Sequence, residues 1–127
     1  MTDPRIPPAP KGAGAAGKKL WASILREYVL EEHEAALLRE MVRTVDQLDA
    51  LQAVVDRDGL MVAGPGLAKR VHPAAVEARQ LRITLARLAA ALRLPAGDED
   101  TDDAKTGTRR PQRRAGVRGP YRLRGVS

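Results

Sequence analysis

Residues 12–19 read Gly-Ala-Gly-Ala-Ala-Gly-Lys-Lys, and here residue types and spacing first suggest chemistry. Gly12, Gly14 and Gly17 match the GxGxxG fingerprint, in which a glycine turn lets backbone approach a pyrophosphate. With Lys18 the run also comes close to a Walker A loop, GxxxxGK[ST]. Both motifs require a strand to deliver the loop and a helix to leave it. The preceding segment is proline-rich, Lys19 stands where a magnesium-binding hydroxyl belongs, and no strand ending in an acidic Walker B residue follows. The run therefore reads as a flexible approach to a first helix, with Lys18 and Lys19 able to meet phosphate.

No other constellation points to catalysis. His33 and His72 lie far apart, with no second ligand at metal spacing. Ser23 and Ser127 have no partnered base, and no carboxylate stands isolated in an apolar run that would tune it for proton transfer. Cysteine is absent, which excludes disulfides and thiolate metal sites. The expectation is a protein without enzymatic activity, cofactor or metal.

Charge is the stronger signal. The net charge of +6 is unevenly spread: Asp98, Glu99, Asp100, Asp102 and Asp103 are followed by Lys105, Arg109, Arg110, Arg113, Arg114, Arg118, Arg122 and Arg124, with no acid among the last 23 residues. A cationic arm of this kind attracts a polyanion through counterion release; a tail merely kept soluble by its charge is the plainer reading. The arm and the acidic tract are expected to pair with each other when no polyanion is bound. On the helices, Lys18, Lys19 and Arg26, together with Arg39 and Arg43 four residues apart, form a candidate phosphate-contacting face. Glu40 and nearby acids equally allow a mixed, solvated surface.

These residues need elements to hold them. Leu20, Trp21, Ile24, Leu25, Tyr28 and Val29 recur at three- and four-residue spacings, which predicts a helix over about 15–29. A second helix is predicted over 31–58, opening on Glu31, Glu32 and Glu34 and closing at Asp58-Gly59. Gly64-Pro65-Gly66 marks a turn in a small β-hairpin or ordered loop at 60–72. Pro73 starts a third helix over 73–94, whose Ala74, Ala78, Leu81, Leu85, Leu88 and Leu92 form a heptad-like seam. The reading is an all-α protein with disordered termini. Residues 1–14 form a lead-in, 15–95 a helical DNA-binding and oligomerisation domain, and 96–127 an acidic spacer and basic tail.

There is no Phe, one Trp and two Tyr, so the core must come from aliphatic residues and is thin for a chain of 127. Association with copies of itself would bury more. The N-terminus lacks a signal-peptide stretch and no run is long enough to span a bilayer, which places the expected site of action in the cytoplasm, away from membranes. The first two helices follow each other as in a helix-turn-helix, but the acidic start of the second opposes base reading in a groove.

The order of these features resembles the small terminase subunits of tailed phages and prophages. The resemblance spans about residues 7–95 and rests on Gly17 followed by Leu20-Trp21, Glu31–Glu34 before Leu37-Leu38, the turn Asp58-Gly59-Leu60, Val71-His72-Pro73 with Glu77 and Arg79, and the leucine-rich helix closing at Leu92-Arg93-Leu94-Pro95. It implies a ring-forming homo-oligomer that binds double-stranded DNA and presents it to the large terminase subunit, whose ATPase and nuclease it regulates in the cytoplasm of the host. The acidic and basic tracts lie outside the shared pattern. Two alternatives stay open: a dimeric transcriptional regulator or nucleoid-type protein, and an assembly factor whose arginine tail docks on an acidic protein.

Overall fold

The computed structural model describes residues 6–95 and 111–114. Three helices carry the fold: α1 (Ala15–Glu27), α2 (Glu32–Asp58) and α3 (Pro73–Leu92). Two short antiparallel pairs join them. β2 (Met61–Ala63) pairs with β3 (Lys69–Val71), while β1 (Tyr28–Val29) pairs with β4 (Gln112–Arg113). The chain is thus all-α with a small hairpin. Among the described residues, no helix is long and apolar enough to cross a membrane.

The helix boundaries follow local chemistry with two corrections. α1 stops at Glu27 rather than 29, because Tyr28 turns extended (φ −124°, ψ 148°) and gives its backbone to the β1–β4 pair. α3 stops at Leu92 rather than 94, closed by Arg93 in the left-handed conformation (φ 58°, ψ 48°). α2 opens on a capping box, in which Glu34 Oε1 accepts from the backbone N–H of Glu31 at 2.7 Å. Its 27 residues run about 40 Å, and Gly59 ends it at φ +88°. The hairpin register is Met61 opposite Val71 and Ala63 opposite Lys69.

The core sits at one end of the molecule. Trp21, Ile24, Leu25 and Tyr28 of the α1–β1 segment meet Leu38, Met41 and Val42 of α2 and Leu92 of α3. The lead-in is not free, as expected for 1–14, but ordered from residue 6. Trp21 Nε1 donates to the Pro7 carbonyl at 2.9 Å, and Ile6, Ala9 and Ala13 pack on the core. Polar indole hydrogen bonding fixes a proline-rich segment that composition alone would leave loose. Beyond the core, the distal part of α2 and the first part of α3 form a two-helix arm tipped by the hairpin. Leu48, Leu51, Val54, Val55 and Leu81 are only half-buried there.

One junction ties the arm together. His72 Nδ1 accepts from the Ala74 N–H at 3.0 Å and so caps α3, while Nε2 meets Asp58 Oδ2 at 2.9 Å. Arg57 grips the other oxygen at 2.8 Å. Hydrogen bonds from Arg57 and then His72 hold the Asp58 carboxyl well below the usual carboxylate range. A depressed carboxylate stabilises the fold fully above its unfolded pKa of about 3.9, and this contribution drains away as pH falls toward the lower folded value. Asp58→Asn is therefore expected to lose less stability than the wild type between about pH 4 and pH 2. Urea midpoints across that window provide the check, and equal acid losses in both proteins would detach Asp58 from the effect.

Candidate nucleic-acid interface

The glycine run shows first what the site is not. Gly14 is the N-cap of α1 and has no side chain to satisfy the helix's first N–H groups. Asp46, from the middle of α2, does so instead: Oδ2 accepts from Gly14 N and Oδ1 from Gly17 N, both at 2.7 Å. A carboxylate from the same chain thus occupies the place where a P-loop would hold phosphate. The glycines serve this close approach. A Cβ on Gly17 would stand 2.3 Å from Asp46 Oδ2 and 2.7 Å from Val42 Cγ1, and one on Gly14 would stand 3.0 Å from Asp46 Oδ1. The fingerprint is a helix–helix contact written in the same letters.

Lys18, Lys19 and Arg26 are exposed on α1. Lys19, Ser23 and Arg26 fall at four- and three-residue spacings along one side of the helix, with Lys18 beside them. None of the three cations has an ion pair with a described residue. The arginines of α2 differ. Arg39 binds Glu32 at 3.1 Å, and Arg43 pairs with Glu40, so that face carries matched charges.

The basic tail returns to this end of α1. In the antiparallel β1–β4 pair Arg113 stands opposite Tyr28, and its guanidinium carbon lies 5.7 Å from the Tyr28 ring centroid. Arg114 donates its backbone N–H to the Glu27 carbonyl at 2.6 Å and its Nε to the Leu25 carbonyl. A cation on the last carbonyls of a helix meets the negative end of its dipole. Arg114 therefore caps α1, and residues 111–114 depart from the free tail expected over 96–127. Tyr28 is buried beneath them and donates its hydroxyl to the Pro95 carbonyl at 2.9 Å. Arg109, Arg110, Arg118, Arg122 and Arg124 lie outside the described residues.

No family model, curated protein or solved structure matches this chain.

The site therefore stands on its own geometry. A cavity of about 460 Å³ opens beside it, lined by Pro7, Trp21, Leu25, Val29, Arg39 and Arg114 among others. Its lining holds no nucleophile–base pair, and both its arginines are engaged, Arg39 by Glu32 and Arg114 by the Leu25 carbonyl. Sequence reasoning missed two residues that organise this end, Asp46 and Tyr28. Asp46 sits 32 positions from Gly14, and no local pattern marks it. Tyr28 carried a weak signal as one of only two tyrosines in a core short of aromatic rings.

Proposed function

We propose that this protein is a non-catalytic, DNA-binding small subunit of a phage terminase. In this reading it binds double-stranded DNA as a homo-oligomer and presents it to the large subunit in the host cytoplasm. One observation carries the DNA part: α1 exposes Lys18, Lys19 and Arg26 without described ion-pair partners, and the β1–β4 pair brings the C-terminal cationic tract to the end of that same helix. Side chains without carboxylate partners exchange counterions with phosphates at no cost in broken ion pairs. Arg39 and Arg43, matched by Glu32 and Glu40, contribute less to this face.

Fluorescence anisotropy with a duplex across a salt series tests the reading. Replacing Lys18, Lys19 and Arg26 together by alanine is expected to weaken binding and to flatten the log–log salt slope, by about 0.9 for each phosphate no longer neutralised. Arg43→Ala should leave the slope nearly unchanged. A triple variant with the wild-type slope would remove α1 from DNA binding. The role in DNA translocation is tested by ATP hydrolysis of the large subunit with duplex, with and without this chain; identical rates would count against it.

A further inference from the structure

The two-helix arm is apolar on more sides than its own partner helix covers. Leu81 and Leu85 of α3 face α2, and Ile83 lies two residues from each, a little over half a turn away. Val76 stands in the same relation to the buried Ala74 and Ala78. Val76 and Ile83 are seven residues apart, so they form one outward ridge, and each is 44% exposed. A solvated helix face would carry polar residues there. Arg79 and Arg87 flank the ridge, exposed and without described ion-pair partners.

α2 offers a matching surface on its outward side. Ala53 lies two residues from Leu51 and Val55, which turn inward, and Ala50 is one turn away on the same exposed side. Small residues leave a shallow groove in which a neighbouring ridge can seat. Asp49 and Asp56 border it. Along their helices the two acids are about 10 Å apart and the two arginines about 12 Å, so both pairs can meet at once.

We propose that the occupant of each surface is a second copy of this chain, the Val76–Ile83 ridge of one molecule seating in the Ala50–Ala53 groove of the next. Ridge and groove lie on different helices, so the contact is head-to-tail and leaves one of each open for further copies. Complementary charge selects a copy over a generic partner, because this chain itself carries both the acidic groove and the basic ridge. The inference deepens the homo-oligomer reading above and does not depend on DNA.

The test is light scattering coupled to size exclusion on the full chain. The wild type is expected at a multiple of 13.7 kDa, and Ile83→Asp at a single chain mass with unchanged helical circular dichroism. The paired variants Arg79→Glu with Arg87→Glu, and Asp49→Arg with Asp56→Arg, should each dissociate alone and reassemble when mixed. A wild type that remains monomeric, including one that assembles only when a different protein is added, overturns the proposal. So does an Ile83→Asp protein of wild-type mass, or a mixture that fails to reassemble. A protein that assembles but ignores duplex DNA sinks the DNA reading alone and keeps this interface; a DNA-binding monomer does the reverse.

Discussion

Gly17→Val is expected to melt far below the wild type, although a glycine inside a helix is normally improved by a side chain. The ordinary gain from removing a helical glycine is about 1 kcal/mol. Here the new Cβ would fall 2.3 Å from Asp46 Oδ2 and 2.7 Å from Val42 Cγ1, and forced overpacking costs about 1–3 kcal/mol. α1 must then back away from α2. That movement breaks both Asp46 hydrogen bonds to the helix start, and charge-assisted bonds contribute about 1.5–3 kcal/mol each. The clash and the broken cap together outweigh the propensity gain by several-fold. Thermal melts followed by circular dichroism read the result directly, with Gly17→Ala falling between. A valine variant as stable as the wild type would mean that α1 does not need this approach. Adding ATP should leave the wild-type melting temperature where it is, since a carboxylate already fills the helix start.

Tyr28→Ala should be nearly as damaging, and comparison with Tyr28→Phe separates two causes. The side chain is 6% exposed within the core cluster, and truncating a buried aromatic costs about 3–5 kcal/mol. Phenylalanine keeps that packing and removes only the hydroxyl, leaving the buried Pro95 carbonyl without its donor. A loss of about 1–3 kcal/mol follows for the phenylalanine variant. Hydrogen exchange gives the finer test, because the Arg114 N–H is bonded to the Glu27 carbonyl. Its protection should fall in the alanine variant, where Arg113 loses the ring beneath it. Undiminished protection would show that the strand pair holds without Tyr28.

Where local periodicity decides the structure, the sequence is legible. The three helices follow from apolar spacing, Glu31 and Gly59 bound α2, and Pro73 opens α3. Gly64-Pro65-Gly66 announces the hairpin turn between Met61–Ala63 and Lys69–Val71. What cannot be read comes from partners distant in the chain. Tyr28 and Val29 continue the helical spacing, yet a segment more than eighty positions later takes them into a strand pair. The glycine run imitates a nucleotide fingerprint because both uses demand the same absence of Cβ. By spacing alone Arg39 and Arg43 fit phosphate contact and a mixed surface equally, and Glu32 and Glu40 favour the latter. The second apolar stripe of α3 is present in the spacing of Val76 and Ile83, but the longer leucine seam masks it.

The hydroxyl, ring and backbone of Tyr28 fasten Pro95 on one side and Arg113 on the other. The stretch from 96 to 110 thus departs and returns at a single anchor point, which makes it an interchangeable cassette. Ring-closure entropy rises only logarithmically, by about 0.6 kcal/mol for each doubling in length. Related chains are free to lengthen, shorten or recompose that insert while the helical body stays the same.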